Sequence, residues 1–175
     1  SSRRGEQNMD IFERIPVDLR WKLGSQSLSS MPFAYRRAIR DGADDQFYNE
    51  IERTVWQGVG RDAGIIARAF RMPVGNAHEV AEAFAATAKV LLGSEWLYEV
   101  NASALDMADL TVRKCALVER AKEMEEDPLV ACNVCHAFAN SAVSSLNPNY
   151  APKFKRGICA GDDICSIMID PVKRE

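Results

Sequence analysis

The chain is 175 residues long, 47% hydrophobic and 27% charged, with a formal net charge of -3. That length suits one domain with a real core. The acidic balance, with a pI near 5.5, excludes the basic footprint that a phosphate backbone requires. No apolar run approaches the roughly 20 residues that span a bilayer, and no secretory leader is visible. Neither nucleic acid nor a membrane is expected as a partner.

The polar start, SSRRGEQNMD, opens an N-terminal arm over residues 1–27 that is expected to be partly disordered. Residues 28–175 read as a single α+β domain, with a helical half over 28–93 and a Cys-rich α+β half over 94–175. A short helix is predicted over Ser29–Arg40. From Asp44 to Arg71, the apolar residues Phe47, Ile51, Val55, Val59, Ile66 and Phe70 recur at steps of mostly three or four, which predicts an amphipathic helix. Gly58, Gly60 and Gly64 in its middle call for a kink or a very close helix neighbour, and Met72-Pro73 ends it. Asn76-Ala77-His78-Glu79 has the spelling of a capping box. The helix that follows runs through Val80, Phe84, Ala88 and Leu91, and Gly93 stops it.

The pattern then changes. Trp96, Tyr98 and Val100 alternate, as do Leu110 and Val112, which predicts two strands joined over Asn101–Ala108. A charged helix is predicted over Glu119–Glu126. Asp127-Pro128 marks the next helix start, and that helix ends before Asn147-Pro148. Phe154, Arg156 and Ile158 lead into a turn at Gly161-Asp162-Asp163, and Cys165, Ile167 and Ile169 form a last strand. The fold class is therefore α+β: a helical N-terminal half, then β-β-α-α-β-β with a Cys cluster.

All five cysteines, Cys115, Cys132, Cys135, Cys159 and Cys165, lie in that second half. An odd count fits poorly with a closed disulfide framework, so reduced thiols in a cytoplasmic protein are expected. Cys132-Asn133-Val134-Cys135-His136 spells C-x-x-C-H, which is compatible with covalent haem c and His136 as axial ligand, with a redox pair, with part of a metal site, or with plain core packing. On a helix Cys132, Cys135 and His136 share one face. Cys159 and Cys165 flank a tight turn, and Cys115 ends a strand. Strand end, helix face and turn can meet at one point, giving soft ligands for zinc or an iron–sulfur cluster. His136 is the better candidate of the two histidines for proton transfer or ligation. The aromatics Trp56, Phe84, Trp96, Tyr98, Phe138 and Phe154 read as core, with a subset able to line a ligand pocket.

The stretches LLGSEWLYEV, VRKCALVERAKEMEEDPLVACNVCHAFANSAVSSLNPNY and RGICAGDDICSIMI resemble the L-2-amino-thiazoline-4-carboxylic acid hydrolase-like family over about residues 50 to 170. The Cys159–Cys165 hairpin also resembles, more distantly, the end of 4-vinyl reductase domains of aromatic-effector sensors. The first resemblance implies a hydrolase-like enzyme acting on a small heterocyclic or organic acid, with the metal polarising the bond and His136 and Cys135 as catalytic candidates. The second implies a sensor in which Cys-ligated zinc sits beside a small-molecule pocket. Both imply a Cys cluster at Cys115, Cys132, Cys159 and Cys165, with the place of Cys135 open. The helix over Asp44–Arg71 is a candidate surface for a homodimer.

Overall fold

A computed structural model describes residues 11–39 and 42–173. A 3-10 turn at Ile11–Arg14 leads into helix α1 (Val17–Ala38), which Pro16 opens with its fixed φ. The helix expected over residues 29–40 thus reaches back to Val17 and includes much of the expected arm; residues 1–10 and Arg40 lie outside the described residues. Phe33 is fully buried, while Val17, Leu19 and Leu23 stay exposed.

Helix α2 (Asp45–Ala69) starts where the Asp44 side chain accepts the Phe47 amide at 2.9 Å. Its buried Glu52 is held by two bonds from the Arg36 guanidinium of α1, at 2.6 and 3.0 Å. A buried carboxylate needs such pairing. Helix α3 (Ala77–Leu92) begins on the Asn76 side chain, which accepts the Glu79 amide at 2.9 Å. Glu79 reaches back one residue beyond the usual box, accepting from the Gly75 amide at 2.7 Å.

Strands β1 (Leu97–Ser103) and β2 (Met107–Lys114) form an antiparallel hairpin. The connection predicted over residues 101–108 contracts to Ala104, Leu105 and Asp106. Leu105 and Asp106 both take left-handed backbone, at φ 60° and 56°. Asp106 anchors this turn by accepting from the Ala77 amide at 2.9 Å and from the Tyr150 hydroxyl at 2.6 Å. Helix α4 (Ala116–Glu123) follows directly, with Cys115 at its N-cap, three residues earlier than the charge pattern predicts. Helix α5 (Leu129–Leu146) opens on Asp127-Pro128, and the Asp127 carboxylate accepts from the Leu129 amide at 2.9 Å. Strands β3 (Tyr150–Arg156) and β4 (Cys165–Pro171) flank a 3-10 turn at Ile158–Ala160.

The four strands make one antiparallel sheet in the order β1-β2-β4-β3. Ala108, Leu110, Val112, Ile167 and Ile169 form its buried face, against which α3 and α5 pack. This is the α+β arrangement that the sequence predicts. Helix α5 has mean hydropathy 1.3 over 18 residues, enough by length and composition to cross a bilayer. Here its apolar side chains Val130, Val134, Phe138 and Val143 are core.

Helix α2 runs unbroken through its glycines, and the close neighbour they permit is α5. A Cβ at Gly60 would lie 2.5 Å from the Phe138 carbonyl oxygen, and one at Gly64 would lie 2.7 Å from that of Ser145. Gly58 has nothing nearer than the end of the Arg61 side chain, at 3.7 Å. Gly60→Ala is therefore expected to destabilise the protein by about 1–3 kcal/mol through overpacking. Gly58→Ala should instead stabilise it by about 0.5–1 kcal/mol, the ordinary helix-interior difference. Urea unfolding of both variants checks the contrast.

Candidate functional site

Three pieces of chain meet at one end of the sheet. Helix α5 presents Cys132, Cys135 and His136 from one face. The β2–α4 junction contributes Cys115, and the β3–β4 connection contributes Cys159 and Cys165. Gly161, in left-handed backbone at φ 100°, lets that connection turn. Between them is a cavity of about 220 Å³, and all five cysteines and His136 line it. Its apolar walls are Trp96, Ala131, Phe154 and Ile167, and its rim includes Lys155, Arg156 and Asp162.

Cys132 and Cys159 are joined by a disulfide, with Cα atoms 5.6 Å apart, an ordinary spacing for such a bond. The odd cysteine count thus resolves into one bridge and three free thiols, where the sequence suggested five reduced thiols. Burial pushes all three thiols up: Cys115 to about 12 from its ordinary 9.0, Cys135 well above that ordinary value, and Cys165 in the same direction. The Cys165 sulfur accepts from the Ile158 amide at 3.3 Å. At neutral pH these are protonated thiols, poor nucleophiles.

His136 lies over Phe154, with ring centroids 3.9 Å apart and planes tilted by 35°. Desolvation lowers its pKa, which favours a neutral imidazole at pH 7. Within the C-x-x-C-H stretch the bridge occupies Cys132, Cys135 is buried, and His136 is covered on one face by Phe154. On its other side His136 borders a polar groove between α2 and α5 that includes Asn49, Arg53 and Asn133. Asp162 serves the turn, accepting from the Gly157 amide at 2.8 Å. With the bridge closed, no group of three His, Cys, Asp or Glu side chains among the described residues is arranged to hold a metal ion.

Trp96 is the wall residue that sequence reasoning assigned to the core. It is 1% exposed, and its indole N–H finds no acceptor among the described residues. Its alternation with Tyr98 and Val100 marks the strand that begins at Leu97 but carries no sign of a cavity beside the ring. Lys155 and Arg156 were equally silent, because a cation near a strand end reads as ordinary surface.

No family model matches the sequence, and no curated protein matches it. Among solved structures the chain is similar to a trafficking protein particle complex subunit 3 from Naegleria fowleri, covalently bound to palmitic acid. That likeness has a TM-score of 0.57 and 15% identity, over 87% of this chain and 99% of that one. The chain is also similar to the phenol-responsive sensory domain of the transcription activator PoxR, solved with phenol. There the TM-score is 0.56 and the identity 13%, over 84% of this chain and 74% of that one. What is shared is the fold. The second neighbour is a sensory domain, in keeping with the sensor resemblance of the Cys159–Cys165 hairpin.

The buried thiols make stability depend on pH. Cys115 has a folded pKa above its ordinary value, so the folded state holds its proton more tightly than the unfolded state does. The stabilisation is complete below about pH 9 and is lost as the pH rises from there through about 12. Unfolding free energy measured from pH 8 to 11 should fall along this limb, and Cys115→Ala should make the fall shallower while Cys135 and Cys165 retain their part of it.

Proposed function

We propose that the chain is a small-molecule-binding domain of the sensor type, with its ligand in the cavity between α5, the β2–α4 junction and the β3–β4 turn. The observation that carries this reading is the apolar cavity itself, lined by Trp96, whose buried indole N–H has no partner among the described residues. An unsatisfied buried donor costs about 1–3 kcal/mol, and a ligand oxygen placed against it removes the penalty. The volume, about 220 Å³, is smaller than the roughly 300–1,000 Å³ of drug-sized pockets, so a ligand of one or two rings is the fitting size. The fold similarity to a phenol-responsive sensory domain supports the same class of ligand.

The hydrolase-like resemblance would put a substrate in this cavity, with Cys135 and His136 beside it. Cys135 as a protonated thiol is poorly suited to attack. Binding rather than turnover is the reading these residues favour.

Phenol titrated into the protein by calorimetry is expected to bind. Trp96→Phe keeps most of the wall and removes the donor, so it should weaken binding about fivefold, the worth of one hydrogen bond near 1 kcal/mol. Undiminished affinity in that variant would remove the main support for the reading.

A second observation favours a Cys-ligated metal at the same place once the bridge is open. The four sulfurs that the sequence suggests as ligands, Cys115, Cys132, Cys159 and Cys165, all line one cavity. Four thiolates are a donor set that suits structural zinc, and also an iron–sulfur cluster. Such a metal would lock the helix, the junction and the turn together and leave recognition to the cavity walls. Protein kept reduced and supplied with zinc is expected to hold about one zinc per chain, and Cys159→Ser should lose it. Elemental analysis decides; full occupancy in the variant would eliminate this set of ligands.

A further inference from the structure

Arg156 ends β3 on the rim of the cavity, next to a break in strand register. Phe154 pairs with Ile167 and Arg156 pairs with Ser166, which leaves Lys155 as an extra residue. Bulges of this kind re-aim side chains and are frequent beside sites. The two cations they bring to the rim differ in their surroundings. The Lys155 ammonium is 3.8 Å from the Asp109 carboxylate. Among the described residues nothing pairs with the Arg156 guanidinium, neither Asp162, which is bound to the Gly157 amide, nor Asp163. The neighbouring imidazole, His136, is held toward its neutral form.

A guanidinium presents a planar fork of donors that matches a carboxylate with two parallel bonds. Arg156 stands at the rim of an apolar cavity lined by Trp96, whose buried indole N–H has no partner among the described residues, so aromatic and aliphatic wall separates two polar points. Trp96 is buried and Arg156 is exposed, so the points lie at different depths.

We propose that the ligand of this cavity is a small aromatic carboxylate carrying a ring hydroxyl. The ring lies against Phe154 and Ile167, the hydroxyl oxygen accepts from the Trp96 indole, and the carboxylate pairs with Arg156. This rests on the small-molecule-binding reading and specifies its ligand class.

The test compares acid and amide on the same body by calorimetry at low salt, using 4-hydroxyphenylacetate with 4-hydroxyphenylacetamide and 4-hydroxybenzoate with 4-hydroxybenzamide. At least one acid should bind the unaltered protein about tenfold or more tightly than its amide, the worth of one charge-assisted contact. Added salt should weaken the acid alone. Arg156→Gln should abolish the preference while the amide still binds, which also reports that the variant is folded. Arg156→Lys should keep part of the preference.

Equal binding of acid and amide, or a preference that survives Arg156→Gln, overturns the assignment of Arg156 and leaves the binding domain standing. Failure of every acid, every amide and phenol to bind overturns both.

Discussion

Helix α5 can deliver three site residues to the cavity only because α2 lets it come unusually near. At Gly60 and Gly64 the α2 backbone lies where ordinary side chains would collide with the α5 backbone. The contact is not only steric. The Ser141 hydroxyl donates to the Gln57 carbonyl at 2.6 Å, and the Gly64 amide donates to the Ser145 hydroxyl at 3.1 Å. Glycine thus removes bulk while serine supplies bonds, and α5 is fixed both in rotation and in height. Its opposite side packs on the sheet through residues such as Phe138, which lies against Phe84 of α3. Any turn of α5 about its axis would carry Cys132, Cys135 and His136 out of the cavity together.

The bridge completes this frame from the other end. Cys132 and Cys159 are 27 residues apart in sequence, and closing a loop of that size restricts the unfolded chain by about 3–4 kcal/mol. More locally, it ties the first turns of α5 to the 3-10 turn between β3 and β4. That turn is otherwise held by the Asp162 carboxylate on the Gly157 amide, the Cys165 sulfur on the Ile158 amide and three backbone bonds to the Gly157 and Ile158 carbonyls. The mouth of the cavity therefore depends in part on the Cys132–Cys159 bridge.

Much of this was legible in the sequence, for identifiable reasons. Helices α2 and α3 carry apolar residues at helical spacing and begin on Asp44 and Asn76, whose side chains do cap them. The meeting of strand end, helix face and turn could be read from where the cysteines fall within those elements. The early part of α1 was hidden because Val17, Leu19, Trp21 and Leu23 alternate every second residue and stay largely outside the core. Periodicity therefore carried no helical signal there. The β1–β2 turn was hidden because it uses left-handed backbone at Leu105 and Asp106, where glycine or asparagine would have announced it. Spacing could gather the cysteines but not choose Cys132 and Cys159 as the bonded pair, because that choice depends on the angle at which α5 crosses the turn. For Trp96 the sequence supplies the ring but not the missing partner of its nitrogen, which is a property of the folded surroundings alone.

The two structural neighbours show why the cavity must decide the function. One is covalently bound to palmitic acid and the other is solved with phenol, on folds that align with most of this chain. A fold that serves a long acyl chain and a single ring does not by itself select a ligand. Selection falls to the few side chains in which proteins of one architecture differ. On the proposed reading, the features of this chain that would make the selection are a wall of Phe154 and Ile167, a volume of about 220 Å³, an indole at Trp96 and a guanidinium at Arg156. The volume restricts the size of the ligand, the indole calls for an acceptor inside, and the guanidinium sets the charge that can be matched at the rim. In the proposed complex each would act on a different part of one molecule, so together they would exclude far more ligands than any of them does alone.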